Sequence, residues 1–189
     1  MHECRSCNKK HTECCVSTLP IRDDFLLKPL PNTEGRKAFK VVYVPEDTTT
    51  TELDAPKGEV DTLLTDCSDF RFVGTAIAFL NERYDNGFDQ IVLPGASAGV
   101  VNFPDWQRSY FEQVDILLSL RQRNRLHVMD HEDCGVYKAL YGDCYYKKHM
   151  YQLHAINLRK CRDLIIARHP HLSVKMLLML LDGTVLELR

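Results

Sequence analysis

Two short clusters of reactive side chains stand out in this sequence, one at Cys67 and one from His131 to Cys134. Two thiolates and an imidazole are soft ligands of the kind that bind zinc. Three protein ligands leave a fourth tetrahedral position open, which is typical of catalytic zinc sites, whereas structural sites use four. The residue types therefore predict one catalytic zinc ion, Zn2+, with Cys67, His131 and Cys134 as its ligands.

A carboxylate and a guanidinium follow the first thiol, at Asp69 and Arg71. Side chains alternate along an extended segment, so Cys67, Asp69 and Arg71 would point the same way if this stretch were extended. The planar fork of an arginine can fix the orientation of a carboxylate. We therefore expect catalytic roles for Asp69 and Arg71, with an ordinary structural ion pair as the alternative interpretation.

The chain alternates between apolar, strand-like runs and segments with helical spacing. Strands are predicted at 40–44, 60–65, 89–93 and 125–130, helices at 73–84, from about 102 onward and at 135–169 with a break near Gly142, loops at 45–59 and 94–99, and a final hairpin at 174–181 and 184–188. This pattern predicts an α/β fold with a mostly parallel central β-sheet flanked by helices and a C-terminal hairpin. Both groups of predicted zinc ligands, at Cys67 and at His131 to Cys134, would directly follow strand ends, where such sheets bind ligands.

The length of 189 residues suits one domain with an appended arm, which we expect as a Cys-rich N-terminal arm at 1–38 and a zinc domain at 39–189. A net charge of −2 argues against nucleic-acid binding. No apolar run approaches the roughly 20 residues of a membrane helix, so no membrane partner is expected. Because no secretory signal is visible, we expect a cytoplasmic protein whose eight cysteines are thiols or metal ligands.

The order and spacing of Cys67-x-Asp69-x-Arg71 and His131-x-x-Cys134-Gly135 resemble the zinc signature of the β-class carbonic anhydrases. The resemblance extends over roughly residues 40–189. The strand at 89–93, the loop that contains Ala98-Gly99, the helix after Cys134 and the terminal hairpin also lie where that family has similar features. The sequence departs from the family at Phe70, where family members usually have Ser, and at Pro94-Gly95, which replaces an Arg-Asn pair.

The resemblance implies a β-carbonic-anhydrase-like fold and the zinc-dependent, reversible hydration of CO2 to bicarbonate and a proton. It implies that Asp69, paired with Arg71, orients the zinc nucleophile or, when released, occupies the fourth zinc position. Substrate contacts are implied for Gly135, Ala98 and Gly99. It also implies a homodimer or a higher assembly of dimers. The sequence adds a separate reason, which is an apolar helix face of Trp106, Tyr110, Val114 and Leu117 that is larger than a small sheet needs for its cover.

Two other functions remain open at this point. The same family scaffold is associated with hydrolysis of CS2 or COS, and the altered loop at 94–99 could line a different pocket. A zinc-stabilised binding or regulatory domain without turnover is the other interpretation, although a purely structural zinc does not need Asp69 and Arg71. A cysteine phosphatase is disfavoured, because its loop needs an arginine at the position of Val73.

The remaining cysteines and histidines allow further expectations. Cys4, Cys7, His11 and Cys14 would suffice for a second zinc ion in the arm, and the alternative is a disordered, redox-sensitive arm. Cys144 and Cys161 are expected to pack within helices, and His127 within a strand. Surface positions, from which protons could be relayed, are expected for His149, His154, His169 and His171.

Overall fold

The computed structural model describes residues 60–84 and 87–189. Its elements are β1 (Thr62–Asp66), α1 (Phe70–Asn81), β2 (Asp89–Val92), α2 (Ser97–Asn102), α3 (Pro104–Leu120), β3 (Arg125–His131), α4 (Gly135–Tyr141), α5 (Asp143–Arg168), β4 (Ser173–Met179) and β5 (Val185–Leu188). The arm at 1–38 with its proposed second zinc ligands, the strand at 40–44 and the loop at 45–59 lie outside the described residues.

The five described strands form one sheet in the order β2-β1-β3-β4-β5. All neighbouring pairs are parallel except β4 and β5, which form the C-terminal antiparallel hairpin. The turn of this hairpin contains Gly183 at a φ of 85°, a left-handed conformation that glycine adopts without steric cost. The predicted fold class, a mostly parallel α/β sheet flanked by helices with a C-terminal hairpin, is confirmed.

Each face of the sheet has its own apolar core. In β1, Leu63 packs into the core on one face and Leu64 into the core on the other, and both are fully buried. Burial on both faces is characteristic of strands inside a parallel sheet. The first core includes side chains from α2, α3 and α5, and the second includes Phe72, Ala76 and Leu80 of α1, whose four-residue spacing places them on one side of that helix.

Two helix boundaries differ from the sequence prediction. Helix α1 begins at Phe70, not near Val73, because the carboxylate of Asp69 caps its first turn. The predicted loop at 94–99 ends early, since α2 begins at Ser97. The Ser97 N–H donates to the carboxylate of Asp130 over 3.0 Å, which satisfies one of the free N–H groups at that helix start.

The apolar face of α3 is used within the chain. Tyr110 and Val114 are fully buried in the core of the sheet, Leu117 packs against that core, and Trp106 stacks on Phe103 with ring centroids 4.3 Å apart. Tyr110, Val114 and Leu117 therefore cover the sheet of their own subunit, and the interpretation of these three as a surplus available for a dimer interface was wrong. Trp106 remains 36% exposed.

Several of the remaining thiol and imidazole side chains are buried as expected. His127 and Cys161 lie in the core, and Cys144 lies partly exposed near the start of α5. The expectation of surface positions was wrong for His149 and His154, which are 3% and 0% exposed. In α5 both histidines face inward, where hydrogen-bond partners replace water. His169 is partly buried and His171 is exposed. Within the described residues, no helix has the length and apolarity needed to cross a membrane.

The close contact between α2 and the preceding turn predicts a strong effect of a single methyl group. A Cβ atom at Gly99 would lie 2.5 Å from the carbonyl oxygen of Pro94, so we expect Gly99→Ala to lower the free energy of unfolding by about 1–3 kcal/mol. At Gly74 in α1 a Cβ atom would meet nothing within 4 Å, and Gly74→Ala should raise it by about 0.5–1 kcal/mol. Urea unfolding of both variants at equal metal content measures these free energies. Changes of the same sign in the two variants would contradict the prediction.

The burial of His127 predicts a loss of stability in acid. Burial lowers its pKa from the ordinary 6.5 to about 4, and nearby Lys175 and Arg125 act in the same direction. Because the folded state disfavours the charged ring, this contribution is complete above about pH 6.5 and is lost progressively as the pH falls toward 4. At pH 5 the linkage amounts to about 2 kcal/mol.

The corresponding test compares two histidine variants by urea unfolding at pH 8 and pH 5. In the parent, the Tyr84 hydroxyl lies 2.7 Å from His127 Nε2, and a glutamine side chain could keep this bond. In His127→Gln the free energy of unfolding should differ less between pH 8 and pH 5 than in the parent, by about 2 kcal/mol. His171→Gln, at an exposed site, should leave the difference as it is in the parent. An unchanged pH dependence in His127→Gln would refute the assignment.

Candidate metal centre

Three soft donor atoms converge at the carboxyl edge of the sheet. The Sγ atoms of Cys67 and Cys134 and a ring nitrogen of His131 all lie within 4.8 Å of one another. All three residues are buried, with at most 8% of their surface exposed. A group of this composition and separation is suited to a tetrahedral soft metal ion.

The positions of the donors follow from the parallel pairing of β1 with β3. The last paired residues are Asp66 and Met129. Cys67, which follows Asp66, therefore lies beside the last residues of β3, which ends at His131. The chain then makes a short turn, and Cys134 occupies the residue that precedes α4. Two neighbouring strand ends and one helix start therefore provide the three donors.

The imidazole of His131 has one ring nitrogen free of hydrogen-bond partners. Its Nδ1 lies 2.8 Å from the carbonyl oxygen of Glu132, and since a carbonyl can only accept, Nδ1 must carry the proton. In the neutral ring Nε2 therefore carries the lone pair, and it is buried without a hydrogen-bond partner. The ring is fixed by stacking on Phe72, with centroids 4.2 Å apart. A buried lone pair beside two thiols fits a metal ion, which would satisfy it.

The two thiols affect each other's ionisation. The neighbouring Cys134 thiol lowers the pKa of Cys67, and the neighbouring Cys67 raises the pKa of Cys134. The backbone N–H of Gly95 also donates to Cys67 Sγ over 3.2 Å, which stabilises a thiolate there. Cys67 is therefore the thiol that ionises more readily to the anionic form that metals bind, and Cys134 would release its proton when a metal ion binds.

Gly95 is a functional residue that sequence reasoning did not identify. It has a φ of 76°, and a Cβ atom there would lie 2.7 Å from Cγ1 of Val136. Only glycine therefore fits a backbone that passes this close to α4 while donating to Cys67. The Pro94-Gly95 pair was a signal for a tight turn, but it did not indicate a contact with the thiol.

Asp69 and Arg71 form a bidentate ion pair at the edge of the centre. Arg71 Nε donates to Asp69 Oδ1 over 3.0 Å, and Nη2 donates to Oδ2 over 2.6 Å. These bonds from Arg71 lower the pKa of Asp69 to about 2. Asp69 Oδ2 also lies 3.9 Å from His131 Nε2, so an ionised carboxylate borders the region that the three donors surround.

The local geometry that brings these two charges together differs from the one expected. The segment is not extended as far as Arg71, because α1 begins at Phe70 and Arg71 lies in its first turn. Asp69 is the residue that caps α1, and its Oδ1 accepts the backbone N–H of Arg71 over 3.1 Å. A helix cap, and not strand alternation, aligns the carboxylate with the guanidinium.

Arg71 has a second acidic partner, which the sequence interpretation missed. Its Nη1 donates to Asp133 Oδ2 over 3.1 Å, and its Nη2 lies 3.3 Å from the Asp133 carbonyl oxygen. Asp133 also forms a salt bridge with Lys138 of α4. An acidic residue between two of the three donor residues was visible in the sequence, but nothing there indicated which cation it would contact.

A buried polar network lies behind the centre and was also missed. The carboxylate of Asp130 accepts hydrogen bonds from the Ser97 hydroxyl (2.6 Å), the Tyr137 hydroxyl (2.6 Å) and His154 Nδ1 (2.9 Å). His154 Nε2 in turn lies 3.1 Å from the Tyr146 hydroxyl, which accepts the backbone N–H of Cys134 over 3.3 Å. All of these residues are almost completely buried. Asp130 directly precedes His131, but no sequence signal paired it with a histidine on a distant helix.

The residues expected to contact the substrate lie in two different environments. Gly135 is exposed at the start of α4, whereas Ala98 and Gly99 are buried within α2. A small cavity lies directly beside the donors on the α1 face of the sheet. It is lined by Asp66, Cys67, Phe72, Ala76, Met129, Asp130, His131 and Met179. This lining is largely apolar, with polar groups close to the thiol and the imidazole.

Comparison with known proteins gives relatives and a structural neighbour, whereas no family model matches the chain. An uncharacterised protein of Rickettsia conorii is 34% identical over 132 residues, which cover 67% of this chain and 71% of that protein. An uncharacterised protein of Rickettsia bellii is 32% identical over 132 residues, covering 67% of this chain and 80% of that protein.

A solved structure of a carbonic anhydrase from Streptococcus mutans has a similar fold, with a TM-score of 0.50 and 15% identity over 75% of this chain and 88% of that chain. At this identity the likeness concerns the fold alone. The rickettsial matches are closer in sequence and cover most of each protein. The chain therefore belongs to the same protein family as these two uncharacterised rickettsial proteins.

Proposed function

We propose that this protein is a zinc enzyme of the carbonic anhydrase type, a lyase that hydrates CO2 reversibly to bicarbonate and a proton. One observation carries the proposal: the unpartnered, buried Nε2 of His131 faces two thiols, with an ionised carboxylate 3.9 Å away. The similar fold of the Streptococcus mutans carbonic anhydrase supports it. The direct test is stopped-flow CO2 hydration by protein of known zinc content, and turnover no faster than buffer would refute it.

Cys67, His131 and Cys134 are the residues that would bind the zinc ion. Within the described chain this group has three donor residues, which leaves one tetrahedral position for a substrate or water, as in catalytic sites. Bound there, zinc would act as a Lewis acid that lowers the pKa of coordinated water toward neutrality.

Asp69 and Arg71 are the residues proposed to orient the reaction. Because its pKa is about 2, Asp69 is ionised throughout the neutral range and can only accept hydrogen bonds. Its Oδ2 would accept a hydrogen bond from the attacking oxygen nucleophile and so direct a lone pair of that oxygen toward CO2. The two bonds from Arg71 keep the carboxylate in one orientation, which saves the cost of ordering it in the transition state.

The cavity beside the donors supports a small, neutral substrate. Apolar side chains of Phe72, Ala76, Met129 and Met179 form much of its wall, and such a lining suits an uncharged molecule better than a large ionic one. We assign roles to Gly135, Ala98 and Gly99 only as part of this proposal. Buried Ala98 and Gly99 would act by shaping the turn that contains Gly95, whereas exposed Gly135 could contact a ligand directly.

The proposal includes three further statements: the protein forms a homodimer, it consists of an arm at 1–38 and a domain at 39–189, and it is cytoplasmic. The dimer rests on the resemblance of the zinc signature, since the face of α3 that includes Tyr110 and Val114 is buried in its own subunit. These three statements stay predictions from the sequence.

Loss of one thiol should remove the metal. We expect Cys134→Ser to lose most of the one zinc per chain, because a serine hydroxyl is a poor ligand for zinc compared with a thiolate. The matched control is Cys144→Ser, a partly exposed cysteine of α5 outside the donor group, which should keep full occupancy. Elemental analysis after dialysis against a weak chelator gives the measurement. Full zinc content in Cys134→Ser would show that the ligand assignment is wrong.

Removing the charge of Asp69 should separate binding from catalysis. Asp69→Asn is expected to retain most of the zinc but to lose at least about 100-fold in kcat, since an oriented acceptor of this kind typically contributes that much. Asp105→Asn, which breaks an exposed ion pair with Arg108 on α3, serves as the control and should turn over like the parent. If Asp69→Asn hydrated CO2 at the parental rate, Asp69 would have no part in the reaction.

A further inference from the structure

We propose that Asp133 is a positioning residue for the reaction: it fixes the Arg71 guanidinium to the loop between His131 and Cys134, so that Asp69 keeps its orientation beside the metal ligands. This inference rests on the proposed function, because it assigns a partner to the Asp69–Arg71 pair. It concerns a residue outside the zinc signature.

The bond between Asp69 and Arg71 cannot by itself fix either side chain relative to the other ligand loop. Both residues belong to the start of α1, two positions apart, so their mutual bonds only organise that helix end. The Arg71 side chain is 39% exposed, so a single local ion pair orders it only weakly against water and salt. A contact with a second element is needed to define where the pair lies.

Asp133 provides that contact from the loop that carries the other two ligands. Its carboxylate accepts from Arg71 Nη1 over 3.1 Å, and its carbonyl oxygen lies 3.3 Å from Nη2. The guanidinium therefore bonds to Asp69 on one side and to both the side chain and the backbone of Asp133 on the other. Two acceptors on separate elements restrict its rotation far more than one local partner does.

The backbone at Asp133 and its other partner favour the same role. Asp133 has a φ of 62°, in the left-handed region that asparagine and aspartate tolerate better than other side-chain-bearing residues. Lys138 of α4 forms a second salt bridge with the carboxylate. The carboxylate therefore lies between two cations, Arg71 and Lys138.

A connected row of charges, Asp69, Arg71, Asp133 and Lys138, therefore joins α1 to α4 across the donor group. In such a row each side chain is already ordered by one neighbour when it meets the next, which lowers the entropic cost of the second bond. Removal of Asp133 would leave Asp69 Oδ1 bonded to the backbone N–H of Arg71 but would free the Arg71 guanidinium to rotate away from Asp69 Oδ2. Oδ2, which lies 3.9 Å from His131 Nε2, would then lose its fixed position.

The test is a double-mutant cycle of Asp133→Asn with Arg71→Gln, read out in two ways. Asparagine fits the left-handed backbone and has nearly the same size, so the turn should form. The first readout is the visible absorption of Co(II)-substituted protein, which reports the coordination sphere without any turnover. The second is the steady-state hydration of CO2 by zinc-loaded protein, analysed as kcat and KM.

We expect Asp133→Asn to retain one metal ion per chain, to change the visible Co(II) bands, and to lower kcat about tenfold while KM changes less than about twofold. In the Arg71→Gln background the same substitution should change kcat less than about twofold, because Asp133 acts through Arg71. The control is Asp143→Asn, since Asp143 also approaches Lys138, at 3.8 Å, and makes no bond to Arg71. It should match the parent in both readouts.

Each contrary result has one meaning. Parental Co(II) bands and parental kcat in Asp133→Asn would overturn the positioning role and leave the proposed function untouched. An equal loss of kcat in both backgrounds would also overturn it, since Asp133 would then act independently of Arg71. If the parent bound Co(II) but did not hydrate CO2, the proposed function would fail. The Co(II) bands of the four proteins in the cycle would still decide whether Asp133 acts through Arg71. Lys138→Gln, which removes the other cation bonded to Asp133, is a second test. It should change the Co(II) bands and kcat in the same direction as Asp133→Asn, but by less.

Discussion

The parallel pairing of β1 with β3 is the constraint on which the rest of the site depends. Its register, with Asp66 opposite Met129, sets Cys67 beside the end of β3. Side chains alternate along a strand, so a slip by one residue would turn His131 toward the opposite face of the sheet. The two cores prevent this slip, because Leu63 and Leu64 are completely buried on opposite faces and neither could be exchanged for a polar neighbour.

Adjacent residues at the end of β3 serve the two faces of the sheet in different ways. His131 lies on the side of α1, where its ring stacks on Phe72. Asp130 lies on the side of α2 and α5, where its carboxylate bonds to Ser97 and His154. An unpaired buried carboxylate would be very costly, so these partners are required once the alternation of β3 turns Asp130 inward. The network that results extends through Tyr146 to the backbone of Cys134 and thereby supports one of the three donor residues from behind.

The sequence was sufficient for whatever depends on period and chain order. Alternation of strands and helices predicted the sheet, the break at Gly142 and the Asp182-Gly183 hairpin, and strand ends predicted that the soft donors would meet. It was insufficient where a contact depends on three-dimensional packing. The burial of His154 and His149 within α5 could not be read from a helix whose polar and apolar residues are mixed around its axis. The capping of α1 by Asp69 was also missed. An extended segment with alternating side chains would likewise have placed Cys67, Asp69 and Arg71 near one another, so the sequence offered no reason to expect a helix cap.

Charge balance explains why so many ionised groups can lie beside a buried centre. Two thiolates would neutralise a divalent zinc ion, and the two partly exposed carboxylates beside the centre have cations: Asp69 has Arg71, and Asp133 has Arg71 and Lys138. The buried carboxylates of Asp66 and Asp130 have hydrogen-bond donors instead. Neutral sets avoid most of the desolvation penalty that isolated charges incur in a low-dielectric environment. The balance is also local, since each cation contacts its carboxylate directly. A carboxylate can therefore remain ionised 3.9 Å from His131 Nε2, where an uncompensated anion would instead take up a proton or compete for the metal ion.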